Sequence, residues 1–204
     1  DIKVIEQQDA EGTADAALQA SEQIEGKAVI LNGDDIYGEE LQDALEKQSA
    51  ILAAQSPNPG QYGVIETENG DVTDIEEKPD EPASNFVNTG FYVVQPEFFD
   101  LLEQVEKSER GEYEITDALD EYIQNQSVEI VETKRWLPCS YPWQLIDANE
   151  VLVKDVERNI EGDVAESATV NGEVIVEENA KVKENTVVEG PAVIKEGCEV
   201  GPNA

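Results

Sequence analysis

Two short polar segments contain the residues best suited to chemistry, and the first lies within LNGDDIYG (residues 31–38). It places Gly33 and Asp34 just after an apolar run, at the end of a strand where open α/β sheets bind ligands. A carboxylate in this position can bind Mg²⁺, which takes one or two acidic side chains together with phosphate oxygens. The spacing alone fits an acidic turn better than a metal site, and both interpretations stay open.

The second segment, IEEKPDEPASN (residues 75–85), contains Lys78, one of only 13 lysines and arginines in the chain. A lysine between a predicted strand and a proline-containing loop can bind a phosphate as a point charge. It can equally pair with Glu76 or Glu77 as a surface ion pair, which contributes little to stability. The chain has no histidine, so its chemistry must use carboxylates, cations, backbone amides or bound metal.

The elements that position these segments alternate between helices and strands. Predicted helices over 13–24 and 39–48 lead into apolar runs at 28–32 and 50–55, an order typical of parallel strands joined by helical crossovers. The other predicted elements are a hairpin that turns at Asn69-Gly70, strands over 90–94 and 128–133, and helices over 96–105, 114–124 and 143–154. This order predicts an α/β domain.

A six-residue repeat occupies the last part of the chain. Valine or isoleucine stands at every sixth position from Val164 to Val200, and a small or β-branched residue follows each by four positions, from Ala168 to Ala204. The pattern predicts a triangular β-solenoid, in which branched side chains fill the corners. Because three repeats make one coil, we expect a little over two coils and an end inside the solenoid.

The composition is strongly acidic, with 47 Asp and Glu and a formal net charge of −34. Such a charge repels nucleic acid and anionic membranes, whereas about 1 M salt screens charges beyond roughly 3 Å. Apolar strands interrupt the acidic residues throughout, which favours a salt-adapted protein over an acidic interaction tail. Two cysteines make no disulfide framework, and no apolar run approaches the roughly 20 residues of a membrane span, so a cytoplasmic location is predicted.

The polar segments, in their order, resemble the sugar-1-phosphate nucleotidyltransferase family, which includes glucose-1-phosphate thymidylyltransferases and N-acetylglucosamine-1-phosphate uridylyltransferases. The matching segments are EQQDAEGTADA, LNGDD, QYGVIE, EEKPDEPASNFVNTGFYV, RGEYEITDA and YPWQLIDANE. The resemblance implies a Rossmann-like α/β nucleotidyltransferase domain with a mixed sheet over residues 1–150. A helical linker over 151–162 and a left-handed parallel β-helix over 163–204 would follow, and we expect the chain to be incomplete at both ends.

The resemblance also implies the reaction and its nucleotide side. Gln7, Gly12 and Thr13 would form the loop that contacts the pyrimidine base, and Asp34 would bind Mg²⁺. The substrates would be a sugar-1-phosphate and UTP or dTTP, and the products an NDP-sugar and pyrophosphate. An oxygen of the sugar-1-phosphate attacks the α-phosphate in line, which requires positioning and charge neutralisation rather than a protein nucleophile.

The sugar-phosphate side is implied by residues farther along the chain. They are Gly63, Glu77, Lys78, Asn88, Thr89 and Thr116. The glycine would contact the sugar through its backbone, the glutamate would hold sugar hydroxyls, and the lysine would lie near the phosphate. The asparagine and the first threonine resemble a sugar-contacting pair, and the second threonine belongs to the ITD segment.

Two departures from the family pattern stand out. The Gly-rich loop with the catalytic arginine precedes the helix that opens this chain, so no catalytic residue is expected here and the fragment alone should be inactive. Many members also have an Asp in a W-x-D-x-G-x-P segment, where RWLPCSYPW (residues 135–143) has Pro138. Metal binding would then depend on Asp34 alone, unless Asp147 replaces the missing ligand.

Two other functions remain open. A non-catalytic, nucleotide-sugar-binding regulatory subunit would fit Pro138 and the missing loop. A scaffold that assembles trimers through the β-helix would fit the hexapeptide repeat, and a homo-oligomer is expected in either case. The residues do not distinguish uridine from thymidine nucleotides, nor one sugar from another.

Overall fold

A six-stranded sheet organises the first part of the chain in the computed structural model, which describes residues 2–204. The chain divides into two units, Asp1–Pro138 and Cys139–Ala204. The domain boundary predicted from the sequence is residue 150, whereas the helix Gln144–Val153 belongs to the second unit. Each unit is therefore described separately.

The first unit contains both strands and α-helices. Its strands are β1 (Ala28–Leu31), β2 (Asp35–Tyr37), β3 (Ala50–Gln55), β4 (Gly63–Glu68), β5 (Asp71–Glu77), β6 (Phe86–Val94), β7 (Glu129–Thr133) and β8 (Trp136–Pro138). Its helices are α1 (Thr13–Leu18), α2 (Leu41–Leu45), α3 (Glu97–Leu102) and α4 (Ile115–Asn125). Short 3-10 turns cover Ser21–Gln23 and Pro59–Gln61.

The strand order of the main sheet is β1-β6-β3-β7-β5-β4. Strand β6 is antiparallel to both β1 and β3, and β3 is parallel to β7. Therefore β1, β3 and β7 run in one direction and their carboxyl ends share one edge of the sheet. The fold class is mixed α/β, as predicted, although an antiparallel strand separates β1 from β3 where parallel neighbours were expected.

The main core lies between this sheet and the helices α1, α3 and α4. Helix α4 is amphipathic, and its buried positions follow the helical repeat: Ile115, Ala118, Leu119, Tyr122 and Ile123. They pack with residues of the sheet and of α3, and the rings of Phe98 and Tyr122 meet edge to face at 5.3 Å. The other face of β3 packs against α2, where Ala44 is fully buried.

Several predicted elements are confirmed, and some have different lengths. The hairpin turns at Asn69 and Gly70, whose φ values of 56° and 95° suit a two-residue turn. The predicted helix over 13–24 ends at Leu18, because the chain tightens into turns such as the bond from Ile24 N to Ser21 O. The predicted strand over 90–94 begins earlier, at Phe86.

The second unit contains helix α5 (Gln144–Val153) and eight short strands. These are β9 (Asn159–Ile160), β10 (Asp163–Val164), β11 (Thr169–Asn171), β12 (Val174–Val176), β13 (Lys181–Val182), β14 (Val187–Glu189), β15 (Ala192–Ile194) and β16 (Glu199–Val200). Val164 pairs in parallel with Val182, and Val182 with Val200, so partners are three six-residue repeats apart. Val174, Val176 and Val182 are buried in the core of this unit.

Candidate active site

An irregularity in the middle of β6 lies at the centre of a polar cluster. The pairing of β3 with β6 shifts between Leu52 and Ala53, and Gly90 has a φ of 73°. The backbone N–H of Asn32 donates to the Gly90 carbonyl at 3.1 Å, and a Cβ on Gly90 would overlap the Asn32 side chain. Irregularities of this kind redirect side chains and are frequent beside active sites.

Three of the residues predicted for the sugar side lie together next to this irregularity. Gly63 is paired with Glu77 across the β4–β5 hairpin. A Cβ on Gly63 would lie 3.0 Å from Glu77 Oε2 and 3.3 Å from the Asn88 Cβ, so both side chains border the glycine. Asn88 is held in place because its Nδ2 donates to the Tyr92 hydroxyl at 2.6 Å and its Oδ1 accepts from Gly90 N at 2.9 Å.

Two cations flank the Glu77 carboxylate. Lys78 Nζ and Arg110 Nη2 lie 3.6 Å and 3.7 Å from Glu77 Oε1, and Arg110 also pairs with Glu114 at 2.9 Å. Lys78 has a φ of 49°, a backbone conformation that is strained for a residue other than glycine. Such strain is concentrated at functional sites. Sequence reasoning missed Arg110, although it is a rare cation within the segment RGEYEITDA.

The two threonines predicted for the sugar side are both buried. The Thr89 hydroxyl donates to the Leu52 carbonyl at 2.6 Å, and the Thr89 carbonyl accepts from the Tyr37 hydroxyl at 3.1 Å. The Thr89 side chain therefore fixes the sheet and does not extend into the polar cluster as Asn88 does. Thr116 is 5% exposed, and its hydroxyl has no hydrogen-bond partner among residues 2–204.

The acidic pair that follows β1 is split between two environments. Asp34 lies exposed on the turn, whereas Asp35 is half-buried on β2 and is paired with Pro138 of β8. Asp35 Oδ2 accepts from Trp136 Nε1 at 3.0 Å and from Asn32 Nδ2 at 3.3 Å. Asp35 thus lies opposite Pro138, the position at which the family resemblance implies an aspartate, although no sequence motif singled out Asp35.

Two tyrosines, the half-buried Tyr37 and the buried Tyr92, connect the acidic pair with the sugar side. Burial raises the pKa of Tyr92, and the charges of Glu77 and Asp35 raise it further, although the hydrogen bond from Asn88 acts in the opposite direction. Burial followed by the charge of Asp35 also raises the pKa of Tyr37. Both hydroxyls are therefore neutral at physiological pH, and the carboxylates on both sides act on the same tyrosine.

The described chain contains no preformed metal cage. Among residues 2–204, no group of three or more His, Cys, Asp or Glu side chains is arranged to hold a metal ion. Asp147, the possible replacement ligand, lies in the first turn of α5 in the second unit.

The residues predicted for the nucleotide side lie on the loop before α1 and on the first residue of that helix, Thr13. Gln7 Nε2 donates to Asp15 Oδ2 at 2.5 Å and to the Gly12 carbonyl at 3.4 Å, so the side chain of Gln7 folds over the start of α1. Thr13 is exposed, and its hydroxyl accepts a hydrogen bond from Ile115 N at 3.0 Å. The loop is thereby attached to the beginning of α4.

Gly12 is required where this loop packs against the backbone of Tyr113. Its φ of 131° and a distance of only 2.4 Å from an added Cβ to the Tyr113 carbonyl oxygen leave no space for a side chain. The close approach allows Ala14 N to donate to Tyr113 O at 2.9 Å. Glycine is therefore needed at this position for packing as well as for any contact with a base.

The mixed sheet, with a polar cluster beside the carboxyl end of β1, defines a Rossmann-like α/β domain. The family model described as "Nucleotidyl transferase" matches residues 1–154, and the chain belongs to this family. The resemblance predicted from the motifs is confirmed.

Proteins similar in sequence carry related names. The bifunctional protein GlmU of Methanocaldococcus jannaschii is 36% identical over 181 residues, which cover 88% of this chain and 44% of that protein. The low-salt glycan biosynthesis nucleotidyltransferase Agl11 of Haloferax volcanii is 34% identical over 162 residues, covering 74% of this chain and 45% of that protein. The chain thus spans less than half the length of these relatives.

Solved structures share the fold. A putative glucose-1-phosphate thymidylyltransferase from Bacillus anthracis, in complex with a sucrose, superposes with a TM-score of 0.64 at 27% identity, covering 74% of this chain and 65% of that one. A UDP-glucose pyrophosphorylase complexed with UDP-glucose gives a TM-score of 0.64 at 22% identity, over 72% of this chain and 64% of that one. The second likeness concerns the fold alone.

Proposed function

We propose that the protein to which this chain belongs is a sugar-1-phosphate nucleotidyltransferase that forms an NDP-sugar and pyrophosphate from UTP or dTTP and a sugar-1-phosphate. The observation that carries this proposal is the Glu77 carboxylate, flanked by Lys78 and Arg110 and bordered by Gly63 and Asn88. A hydrogen-bond acceptor beside two cations suits a ligand that combines hydroxyls with a phosphate.

The chemistry assigned to these residues is positioning and neutralisation of charge. Glu77 accepts hydrogen bonds from sugar hydroxyls, and the Asn88 amide is placed beside it by its own bonds to Tyr92 and Gly90. The cations reduce the repulsion between two anionic substrates, so the attacking oxygen can approach the α-phosphate. No protein nucleophile is needed.

We also propose Mg²⁺ as the metal and Asp34 as one of its ligands. The exposed carboxylate on the turn after β1 fits an ion that keeps waters and takes few protein ligands. Bound there with substrate, the metal would neutralise charge on the phosphate oxygens. Asp35, the next residue, is held beside this turn by hydrogen bonds from Trp136 and Asn32.

The second unit is proposed to begin a left-handed parallel β-helix that assembles into trimers. Parallel pairing between residues three repeats apart, together with burial of Val176, Val182 and Val188, supports a solenoid. No helix among residues 2–204 has the length and apolar character needed to cross a membrane. A salt-adapted cytoplasmic protein remains the prediction from composition.

One observation favours a second candidate, a nucleotide-sugar-binding regulatory subunit without turnover. Pro138 lies in β8, opposite Asp35, at the place where many family members are expected to have an acidic residue. Loss of one metal ligand would weaken catalysis more than binding, because the metal neutralises charge that develops during phosphoryl transfer.

The test is an assay of the protein translated from its whole reading frame, in multimolar KCl with Mg²⁺. UTP or dTTP is supplied with a panel of sugar-1-phosphates, and pyrophosphate release is measured. The proposal expects release with at least one pair of substrates and none when either is omitted. Tight NDP-sugar binding in calorimetry without pyrophosphate release would instead support the regulatory subunit.

A further inference from the structure

Residues 107–115 connect the two halves of the candidate site. On the nucleotide side, Tyr113 N donates to Glu11 O at 2.8 Å and Tyr113 O accepts from Ala14 N at 2.9 Å. Lys107 Nζ adds an ion pair to Glu11 Oε1 at 2.6 Å. This segment is therefore fixed to the loop that holds the predicted base-binding residues.

The tip of the same segment carries Arg110. The bond from Gly111 N to Ser108 O at 2.8 Å closes a turn around it. From this turn the guanidinium extends to Glu114 Oε1 at 2.9 Å and to Glu77 Oε1 at 3.7 Å. One side chain thus joins the segment to the sugar side of the site.

Glu114 is the better anchored of the two carboxylates. Its side chain is 12% exposed, compared with 24% for Glu77 and 42% for Arg110. Its Oε1 also accepts a hydrogen bond from Ser108 Oγ at 3.1 Å. A carboxylate that is fixed by a separate donor, here Ser108, and is largely removed from water holds a guanidinium more firmly than an exposed one does.

We propose that Glu114 is a positioning residue, which holds the Arg110 guanidinium beside Glu77 and ties it to the nucleotide-side loop. This inference rests on the proposed function, in which an anionic substrate binds next to Glu77 and Lys78. In a chain of net charge −34, a long cationic side chain has many alternative carboxylates to pair with. The ion pair with Glu114, whose carboxylate Ser108 also holds, selects one of them and keeps the cation in place before substrate binds.

The first test compares Glu114→Gln with Glu112→Gln in the complete protein. Glutamine keeps the size of residue 114 and still accepts from Ser108, but it loses the charge that holds Arg110. We expect the KM for the sugar-1-phosphate to rise about tenfold, with a smaller change in kcat and in the KM for the nucleotide. Glu112 is exposed in the same turn, so E112Q removes an equal charge and should leave all three constants unchanged.

The second test does not depend on activity. Trypsin cleaves after an arginine whose side chain is free to leave its contacts, so the initial rate of cleavage after Arg110, measured by mass spectrometry, reports its anchoring. We expect E114Q to be cleaved several-fold faster than E112Q. Equal cleavage of the two variants, or equal KM values in an active protein, overturns the positioning role. Faster cleavage of E114Q in a protein without turnover would refute only the proposed function.

Discussion

At the scale of single residues, Lys78 combines a strained backbone with a place in the candidate site. Its φ of 49° lies in the left-handed region, where residues other than glycine lose about 1 kcal/mol or more. Its ammonium group nevertheless lies 3.6 Å from Glu77 at the proposed phosphate site. Strain retained at such a position suggests that the cation contributes something that glycine, the conformationally easier choice, does not.

A pair of substitutions separates these two properties. Lys78→Gly and Lys78→Ala both remove the cation, but only glycine relieves the backbone. We expect K78G to have a free energy of unfolding about 1 kcal/mol higher than that of K78A, measured by urea denaturation in concentrated KCl. In both variants the KM for the sugar-1-phosphate should rise to a similar extent. Equal stability of the two would mean that residue 78 is not in the left-handed region.

Gly63 is the second residue that the geometry singles out. An added Cβ would lie 3.0 Å from Glu77 Oε2 and 3.3 Å from the Asn88 Cβ, closer than ordinary contacts. We expect Gly63→Ala to displace the Glu77 carboxylate and to raise the KM for the sugar-1-phosphate by roughly tenfold, with a stability loss of about 1–3 kcal/mol. Gly26→Ala is the control, because a Cβ there meets nothing within 4 Å. Equal kinetic effects of the two substitutions would contradict the assigned geometry.

At the scale of elements, helix α4 supports the candidate site, and two negatively charged aspartates on it destabilise the folded state. Its apolar face is buried, and Tyr122 is held by bonds to Ser49 and to Gln95 N. Its polar face contains the largely exposed Asp117 and Asp120, whose pKa values are raised, first by partial desolvation against the helix and then by neighbouring carboxylates. In both residues the charged form is therefore disfavoured in the folded state.

The sign of this effect can be tested at Asp120. Because its pKa is higher in the folded than in the unfolded state, the protonated form favours folding at low pH, and that contribution is lost as the pH rises through the folded-state pKa. Asp120→Asn should therefore increase the free energy of unfolding near about pH 7 and give no increase near about pH 3. Urea denaturation of both proteins at the two pH values, in low salt, measures this change in the free energy of unfolding. A gain of equal size at both would show that ionisation of Asp120 is not the cause.

At the scale of the whole molecule, the acidic charge dominates. The chain has 47 acidic and 13 basic residues, so most carboxylates have no cation with which to pair. Several cations that are present are used at specific points, such as Lys107 with Glu11 and Arg110 with Glu114. The folded state therefore carries a self-repulsion that these contacts cannot offset and that salt can screen.

The expected consequence is a strong dependence of thermal stability on salt. Raising KCl from about 0.1 M to about 2 M should increase the Tm by on the order of 10 °C, with most of the gain below about 1 M, where the screening length approaches the spacing of neighbouring charges. NaCl at the same ionic strength should act similarly, because screening does not depend on the identity of the ion. A Tm independent of salt would contradict the interpretation of the composition as salt adaptation.

Local regularities could be predicted from the order of the residues alone. The apolar period of α4, the turn at Asn69 and Gly70 and the six-residue repeat from Val164 onward each depend on residues close in the chain. Helical and strand periods and the backbone freedom of glycine act over a few residues. They can therefore be recognised without knowing which segments are neighbours in space. The motifs then placed Gly63, Glu77 and Asn88 in one site by resemblance.

Contacts between segments far apart in the chain could not be predicted in this way. Because β6 lies between β1 and β3, Asn32 meets Gly90, and Thr89 turns its hydroxyl into the sheet instead of the site. The pairing of β2 with β8 sets Asp35 opposite Pro138, and the turn of residues 107–113 carries Arg110 to Glu77. Such contacts depend on which strands become neighbours. That strand order is selected by packing of the entire core, and the preferences of the contacting residues do not determine it.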